Sequence, residues 1–488
     1  MNYFKLSINW KLQKSRKLIK RFTIIRTFTY REIALIQLSY LYFSILIDIQ
    51  TVFLDNLRIM INPLAQGLNE TLKGTVVDAL MSDMGKRLYF PNGIISQGGE
   101  AAKDAHLANG TIGMAVAAGS PIELESYKKN MPNLNSRETV AYAKTAGNPD
   151  LRKIWKEKII QKNPGLKGKN FSLPVLVPGL TAALSYVADI FVDVDKPLLA
   201  PNPCWDNYEL ITSARRGSPF NMFECFKDGK FNLAGLEEAM KADAQKYGSV
   251  RVILNFPQNP SGYSPTKDEA KAIVKIVSEI AESGKKVLVL SDDAYFGLNY
   301  EDDIEPQSLF AYMADLHENV LAIKADGPTK EDFAWGFRTG FITFASKNLT
   351  DAQYTALTTK FMAAIRSSVS CASTPSQSLV LKALSDPAHE AQKIELRDML
   401  KRRYDSVRAF VTNHKSEVLE PLPFNSGYFM SFHVKTSNAE AIRKRLLAEK
   451  SIGIIQIDPN TLRVAFSSID EDKIDTVYSA IYEIAGAM

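Results

Sequence analysis

The sequence predicts an α/β protein whose larger part is a mostly parallel sheet flanked by helices. From about residue 170, short apolar runs alternate with helical stretches, and each run ends in Gly, Pro, Asn or Asp. This alternation is typical of a parallel sheet with helices on both faces. From about residue 374 the character changes to longer charged helices and short strands, which predicts a smaller α+β part. With 488 residues, 45% of them hydrophobic, the chain can bury a core in both parts.

Five apolar runs predict strands of the large sheet. They are LPVLVPG (173–179), KPLLAPNP (196–203), RVILNFPQNP (251–260), KVLVLSDDAY (286–295) and NVLAIKADG (319–327). Residues 266–283 repeat apolar side chains near helical spacing and predict a helix. In the smaller part, 390–412 predicts a helix, and 427–434 and 461–466 predict strands. Ligands of such parallel sheets bind at the carboxyl ends of the strands.

Residues 1–59 differ in composition from the rest of the chain. All 26 glycines and 22 prolines follow them. Residues 1–59 contain ten of the 59 Lys and Arg residues and three of the 54 Asp and Glu residues. The rest of the chain therefore contains 49 cations and 51 anions. The near-neutral remainder carries no electrostatic footprint for nucleic acid.

Three interpretations of residues 1–59 stay open. We favour a mis-assigned start, with translation beginning at Met60, because the sequence from there matches the composition of the rest. A targeting segment is second, since the first 31 residues lack acids and are rich in Lys and Arg. A membrane anchor is third, because the apolar run at 33–47 is shorter than the roughly 20 residues of a spanning helix. We expect a cytoplasmic protein and assign no chemistry to this segment.

The cysteines and histidines exclude two classes of site. The chain's three cysteines, Cys204, Cys225 and Cys371, have no metal-ligand spacing and cannot form a disulfide framework. The five histidines are scattered without a ligand pattern. We therefore predict no metal site and a reducing compartment.

Five motifs place distinctive residues at predicted strand ends. In chain order they are VPGLTAAL (177–184), NPCWDNY (202–208), NFPQNPSG (255–262), SDDAY (291–295) and GPTKEDFAWGFRTGF (327–341). The first begins a helix, whose free N–H groups and positive dipole end suit a phosphate. Each motif alone has an ordinary explanation, since a single loop lysine is usually solvated and an Asn-Pro pair is usually only a turn.

In this order the motifs resemble the fold type I pyridoxal-phosphate enzymes, and among them the class I/II aminotransferases such as aspartate and aromatic aminotransferases. The resemblance covers about residues 62–488. It implies pyridoxal 5′-phosphate as cofactor and the fold of this enzyme class. It further implies a large domain of residues 138–373, and a small domain built from both chain ends, 60–137 and 374–488.

The resemblance also implies roles around the reacting atoms. Lys330 would form the Schiff base with the cofactor and move the proton between substrate and cofactor. Asp292 would keep the pyridine nitrogen protonated, so that the ring accepts electrons. Asn259 and Tyr295 would hydrogen-bond the cofactor's phenolate oxygen. Asp293, by contrast, is interpreted as a structural neighbour.

The resemblance implies further contacts to the phosphate and the ring of the cofactor and to the substrate. Arg338, Tyr142 of a neighbouring subunit and the helix start at Gly179, Leu180 and Thr181 would bind the phosphate. Trp205 would stack on the pyridine ring, and together with Asn259 would border the substrate. Arg463 would grip the substrate α-carboxylate with both ends of its guanidinium. The Tyr142 assignment implies a homodimer with shared active sites.

Three positions depart from the family pattern. Gly327 stands where many members carry a phosphate-binding hydroxyl, which implies weaker phosphate binding or compensation elsewhere. Ser261 replaces the commoner threonine after the Asn-Pro pair. No position matches a second, side-chain-binding arginine, so a dicarboxylate preference is not established.

We therefore predict transamination between an α-amino acid and a 2-oxo acid. A β-eliminating C–S lyase of the same fold is the alternative, because the same Lys330, Asp292 and Arg463 would serve it. A ligand-sensing module is disfavoured, since no DNA-binding region is appended. The sequence leaves the amino-donor specificity open.

Overall fold

The chain divides at residue 60 into two units. The computed structural model describes residues 61–488 except 74, 76, 77, 79, 80, 90, 92, 436 and 437. The three interpretations of residues 1–59 thus lie outside the described residues. Among the described residues, none of the helices combines the length and the apolar character that a bilayer crossing requires.

Seven of the described strands follow the predicted apolar runs. The described strands are β1 (Ala108–Asn109), β2 (Val116–Ala117), β3 (Ser120–Pro121), β4 (Val175–Val177), β5 (Leu198–Asn202), β6 (Phe220–Glu224), β7 (Phe226–Lys227), β8 (Lys230–Phe231), β9 (Ser249–Asn255), β10 (Lys286–Asp292), β11 (Val320–Asp326), β12 (Gly340–Ala345), β13 (Leu419–Pro421), β14 (Phe429–Val434), β15 (Ile452–Gly453), β16 (Ile455–Asp458) and β17 (Thr461–Ala465). All of the predicted strands are confirmed, and those of the large sheet each end at, or directly before, a Pro, Asn or Asp residue.

The described helices alternate with these strands. They are α1 (Pro63–Leu72), α2 (Asp83–Arg87), α3 (Ile94–Asp104), α4 (Glu125–Lys128), α5 (Ser136–Thr139), α6 (Pro149–Lys162), α7 (Leu180–Phe191), α8 (Asn207–Glu209), α9 (Leu233–Tyr247), α10 (Lys267–Glu282), α11 (Leu309–Met313), α12 (Pro328–Glu331), α13 (Asp351–Ser368), α14 (Thr374–Leu384), α15 (His389–Asn413), α16 (Ala439–Lys450) and α17 (Ile474–Gly486). The predicted helix at 266–283 is α10, which begins with a capping box between Thr266 and Glu269. The one at 390–412 is α15.

A sheet of seven strands in the order β4-β12-β11-β10-β9-β5-β6 forms the centre of the fold. All of its pairs are parallel except those of β12, which runs antiparallel to β4 and β11. The predicted mostly parallel sheet is confirmed. The sequence analysis predicted neither β6 nor β12, and the apolar run of β12 begins within the Lys330 motif.

Helices cover both faces of this sheet. Along β10, Val289 belongs to one buried apolar cluster, whereas Leu288 and Leu290 belong to the other. The first cluster includes residues of α9 and α10, and the second includes residues of α7 and α13. Alternate residues of a strand point to opposite faces, so an unbroken apolar run is what a strand between two helical layers requires.

A second, antiparallel sheet has the order β13-β14-β17-β16 and uses residues 419–465. It contains the predicted strands at 427–434 and 461–466. The partition into a large domain of 138–373 and a small domain of 60–137 and 374–488 stays a prediction.

Candidate active site

A cavity of about 180 Å³ lies at the carboxyl ends of β9, β10 and β11. β9 ends at Asn255 and β10 at Asp292, and these two residues pair in register. β11 ends at Asp326, after which the chain enters α12. The sequence-predicted residues that line the cavity are Leu180, Thr181, Trp205, Asn259, Asp292, Tyr295, Lys330, Arg338 and Arg463.

Lys330 lies in the short helix α12, directly after the central strand β11. The hydroxyl of Tyr428 donates a hydrogen bond to its backbone oxygen at 2.9 Å, which fixes the backbone of Lys330. The lysine ammonium lies 5.0 Å from the centroid of the Tyr295 ring. Lys330 thus projects into the cavity from a backbone tied to the second sheet, since Tyr428 immediately precedes β14.

Burial makes Lys330 easier to deprotonate. It lowers the pKa of Lys330 from 10.5 to about 8. The Asp292 carboxylate opposes this shift, and the Arg338 guanidinium adds to it to a smaller extent. A nucleophilic or proton-transferring amine must be neutral for part of its cycle. The environment of Lys330 meets this requirement near physiological pH.

Asp292 is buried at the end of β10, with 3% of its surface exposed. Its Oδ2 accepts a hydrogen bond from the Tyr208 hydroxyl at 2.5 Å, and its Oδ1 accepts one from the Ala294 N–H at 3.3 Å. Burial raises the pKa of Asp292 to about 6, although Tyr208, Lys330 and the Ala294 N–H favour the charged form. Asp292 therefore offers a carboxylate that readily pairs with a cation in the cavity.

Two amides connect β9 to the rest of the site. Asn255 donates from Nδ2 to the backbone oxygen of Asp292 at 2.7 Å, and its Oδ1 accepts from the Asn259 N–H at 2.8 Å. The turn that follows contains cis peptide bonds before Pro257 and Pro260. Asn259 lies in the cavity wall, where its Oδ1 accepts a hydrogen bond from Nη1 of Arg463 at 3.0 Å.

Arg463 reaches the cavity from β17, in the second sheet. Only 1% of its surface is exposed, and its Nη2 donates to the backbone oxygen of Thr111 at 3.0 Å. Its guanidinium lies 4.3 Å from the centroid of the Phe429 ring, and its buried Nε has no hydrogen-bond partner among the described residues. Burial lowers the pKa of Arg463 to about 10, so it stays cationic at neutral pH. A buried cation with an unpaired N–H is suited to binding a carboxylate.

Gly179, at the cavity edge, and Arg338 form a cradle at the start of α7. Gly179 is the N-cap of this helix at φ +91°, a conformation that favours glycine. A Cβ on Gly179 would lie 2.5 Å from Nη2 of Arg338, so the absence of a side chain allows the guanidinium to approach. The first N–H groups of α7, at Leu180 and Thr181, have no partner within the helix. A guanidinium beside a helix N-terminus provides a site for a phosphate group.

Gly327, the departure from the expected hydroxyl, has a steric cause. A Cβ at this position would lie 2.7 Å from the backbone oxygen of Thr339 and 3.0 Å from Cα of Gly340. The close approach of β12 to the start of α12 therefore excludes a side chain. Thr329, one residue before Lys330, is buried and places a hydroxyl residue in the cavity wall.

The aromatic residues occupy the cavity wall as expected. Trp205 lines the cavity and meets Tyr208 edge to face, with ring centroids 5.6 Å apart. Tyr295 packs edge to face against Phe429 at 5.3 Å. Burial raises the pKa of Tyr295, so its hydroxyl remains a donor.

Tyr142 is a predicted site residue that does not lie among these contacts. It is 96% exposed and does not line the cavity. The sequence assigned it to the site of a neighbouring subunit, and that assignment stays a prediction. Conversely, the sequence interpretation missed Tyr208, Asn255 and Thr329, although each lies within or beside a motif that it used.

The arrangement fits the cofactor expected from the sequence. Pyridoxal phosphate requires a cationic cradle for its phosphate and a carboxylate for its ring nitrogen. Its aldehyde requires an amine. The Gly179–Arg338 cradle, Asp292 and Lys330 supply these groups around one cavity. The unpaired Nε of Arg463 is a further binding group for a substrate carboxylate.

Comparisons with known proteins agree with this geometry. The family described as aminotransferase class I and II matches residues 114–481. A probable N-acetyl-LL-diaminopimelate aminotransferase of Bacillus subtilis is 25% identical over 258 residues, which cover 53% of this chain and 58% of the relative. A probable aspartate/prephenate aminotransferase of Rhizobium leguminosarum is 26% identical over 229 residues, which cover 44% of this chain and 51% of the relative. The chain thus spans little more than half the length of these curated relatives.

A crystal structure of an aminotransferase from Anaerococcus prevotii resembles the chain with a TM-score of 0.75. The likeness covers 83% of this chain and 99% of the other, at 22% sequence identity. At this identity the likeness shows the fold.

Proposed function

The chain belongs to the class I and II aminotransferase family, whose members use pyridoxal phosphate, and on that basis we propose that it transfers the amino group of an α-amino acid to a 2-oxo acid. The observation that carries the proposal is the convergence of Lys330, Asp292, Arg338 and Arg463 on one cavity. Asp292 ends β10, Lys330 lies in α12, Arg338 lies between α12 and β12, and Arg463 lies in β17 of the second sheet.

We assign the cofactor contacts as follows. Bound in the cavity, pyridoxal phosphate would supply an aldehyde that condenses with amines and a ring that withdraws electrons. Arg338, Thr181 and the N–H groups that follow Gly179 would hold its phosphate, and Trp205 would stack on the ring. Asp292 would hold the proton on the ring nitrogen.

Proton transfer would fall to Lys330. Its neutral amine, favoured by a pKa of about 8 instead of 10.5, would take the proton from Cα of the substrate and deliver it to C4′ of the cofactor. Arg463 would orient the substrate by binding its α-carboxylate, and Asn259, hydrogen-bonded to Arg463, would link this contact to the phenolate oxygen of the cofactor. Tyr295 would donate to the same oxygen.

The proposal is tested by adding single amino acids to the purified chain loaded with pyridoxal phosphate. Bleaching of the visible band by an amino acid, and its recovery on adding a 2-oxo acid, would establish transamination and identify the donors. Release of pyruvate and ammonia with a persistent band would instead indicate β-elimination. Lys330→Ala should remove nearly all turnover, whereas Lys360→Ala, on the exposed face of α13, should not. Normal turnover of Lys330→Ala would overturn the assignment.

We also propose a homodimer in which Tyr142 completes the partner's phosphate site. Tyr142 and Val140 are 96% and 84% exposed, and Met131 is 53% exposed, so three large apolar side chains of residues 131–142 are available for contact with a partner. Mixing two inactive variants tests this: Lys330→Ala carries an intact Tyr142, and Tyr142→Phe carries an intact Lys330. If Tyr142 acts on the neighbouring subunit, the mixed dimer contains one intact site and regains tight cofactor binding. Failure to regain it in a demonstrated mixed dimer would contradict the shared site.

A cytoplasmic location is proposed as well. The proposal is supported by the three cysteines, which are all free.

A further inference from the structure

A lysine is buried inside the large sheet, beside the active-site cavity. Lys324 lies in β11, and none of its surface is exposed. Its ammonium forms an ion pair with Asp293 and a second one with Oδ2 of Asp326 at 3.4 Å. It also lies 4.3 Å from the centroid of the Phe296 ring. Burial removes the ammonium from water, which disfavours its charged form, so the two carboxylates are needed to retain its charge.

The two carboxylates link Lys324 to the site residues through the backbone. Asp293 directly follows Asp292, and its N–H donates to the backbone oxygen of Ala325 at 2.9 Å. Asp326 ends β11, four residues before Lys330. The ion cluster therefore joins the strand ends that present Asp292 and Lys330.

The remaining hydrogen bonds of the cluster hold it in one arrangement. The Ser308 hydroxyl donates to Oδ2 of Asp293 at 2.6 Å. Nε1 of Trp155 donates to Oδ1 of Asp326 at 3.0 Å. A buried ion pair that is fixed in this way is costly to break from one side, because the partner is left charged and unpaired.

The charges of this cluster bear on Asp292. Burial raises the pKa of Asp292, and the adjacent Asp293 carboxylate raises it further. The groups that favour the charged form are the Tyr208 hydroxyl, the Lys330 ammonium and the Ala294 N–H. Without a compensating cation, Asp293 would push Asp292 towards its neutral form.

Lys324 is placed to compensate Asp293. Desolvation opposes the charged ammonium, but Asp293, Asp326 and, to a smaller extent, Glu331 outweigh it, so the pKa of Lys324 is raised. Burial raises the pKa of Asp326 to about 6, against Lys324 and the Trp155 hydrogen bond. The charged form of Lys324 is thus favoured by Asp293, the residue next to Asp292.

We propose that Lys324 is a positioning residue of the active site, which neutralises Asp293 so that Asp292 keeps its negative charge. This inference rests on the proposed function, in which Asp292 holds the proton of the cofactor ring. Lys324 itself does not line the cavity and would act on the cofactor only through the charge of Asp292.

The test follows the protonation of Asp292 in the full chain loaded with pyridoxal phosphate. The protonated carboxyl of Asp292 gives a C=O stretching band in infrared difference spectra, identified as the part that Asp292→Asn removes. Lys324→Met should move the midpoint of this band upwards by about one pH unit, since it leaves a like charge next to Asp292. Asp293→Asn should move it downwards, because Lys324 is then incompletely neutralised.

The double variant Lys324→Met/Asp293→Asn should return the midpoint close to that of the unmodified chain. Opposite shifts that cancel distinguish an electrostatic role from a merely structural one. Lys393→Met is the matched control, since Lys393 is a buried lysine paired with Glu331 and Asp332 and should not move the midpoint. If Lys324→Met fails to fold, the comparison of Asp293→Asn with the double variant decides, because these two chains differ only at Lys324 and the midpoint of the double variant should be the higher one.

An unchanged midpoint in Asp293→Asn, or equal shifts in Lys324→Met and Lys393→Met, would overturn the proposal. The infrared measurement requires no turnover. A chain that binds the cofactor but transfers no amino group would therefore refute the proposed function and leave this test intact.

Discussion

The Tyr208 hydroxyl donates a 2.5 Å hydrogen bond to Oδ2 of Asp292, although 84 positions separate the two residues. Both side chains are buried, with 2% and 3% of their surfaces exposed. Burial and the Asp292 carboxylate raise the pKa of Tyr208, so that it remains a donor. Among the uncharged groups that favour the charged form of Asp292, the Tyr208 hydroxyl has the largest effect. The bond also fixes the orientation of the carboxylate.

Tyr208→Phe should weaken cofactor binding without removing the site. A hydrogen bond to a charged group contributes about 1.5–3 kcal/mol, so we expect the cofactor Kd to rise about 10- to 100-fold at neutral pH. The pKa of Asp292 should rise above about 6, because the lost bond favoured the charged form. Titration of the cofactor-free chain with pyridoxal phosphate between pH 5 and about pH 8 measures both effects.

Tyr354→Phe is the control for this substitution. Tyr354 is also buried, but its hydroxyl lies within hydrogen-bond distance of the backbone oxygens of Asn170 and Ser346, and it does not line the cavity. It should lower stability without changing the pH dependence of cofactor binding. A Tyr208→Phe chain with an unchanged Kd would show that the charge of Asp292 does not depend on this bond.

The sequence predicted the strands and their ends because local patterns carry that information. The run at 286–292 is apolar on both faces and stops at Asp292, as a strand covered by helices must. The helix start at Gly179 was equally readable, since glycine and the following apolar residues are local signals.

The pairing between distant residues was not readable in this way. Tyr208 lies only three residues after Trp205, but its partner is fixed by how α8 packs against β10, which no local pattern encodes. The same holds for Lys324 within an apolar run, whose partner Asp293 follows from the register of β10 with β11. For Gly327, the sequence showed the missing hydroxyl, and only the approach of β12 explains it.

Lys330 should react as an amine of depressed pKa. In the cofactor-free chain, its modification by trinitrobenzenesulfonate, quantified by mass spectrometry, should be half-maximal near its pKa of about 8 instead of the ordinary 10.5. Asp292→Asn should shift the midpoint lower, because the carboxylate favours the protonated ammonium. The exposed Lys360 provides a reference in the same digest. A midpoint at the ordinary lysine value would show that burial does not activate Lys330.

Arg463→Lys should impair substrate binding far more than cofactor binding. Lysine keeps the charge but lacks the planar fork that bonds Asn259, Thr111 and a carboxylate together. We expect the amino-acid concentration for half-maximal bleaching of the cofactor band to rise about 10- to 100-fold, as for a lost charged hydrogen bond. The cofactor Kd should change little.

Arg403→Lys is the corresponding control. Arg403 is also buried, but it bonds the backbone oxygen of Ser467 and the Asp470 carboxylate, away from the cavity. It should affect thermal stability alone. An equal loss of amino-acid affinity in both variants would remove Arg463 from the substrate site.

Gly327→Ser should harm the site although it restores the hydroxyl common in the family. The φ of Gly327 is 165°, an extended conformation open to any residue, so the obstacle is purely steric. The new Cβ would approach backbone atoms of Thr339 and Gly340, which cannot rotate away as a side chain could. Overpacking of this kind costs about 1–3 kcal/mol, and the strain would displace the start of α12, which carries Lys330. Both Tm and cofactor affinity should therefore fall.

Gly336→Ser separates this steric effect from the addition of a serine to the same loop. A Cβ at Gly336 meets nothing within 4 Å, so its Tm and cofactor Kd should stay close to those of the unmodified chain. If Gly327→Ser instead bound the cofactor more tightly at an unchanged Tm, there would be room for a side chain beside β12. The steric explanation for the missing hydroxyl at position 327 would then be wrong. The expected loss would mean that the phosphate site depends on Arg338, the start of α7 and Thr329, because the close contact between β12 and α12 leaves no space for the usual hydroxyl.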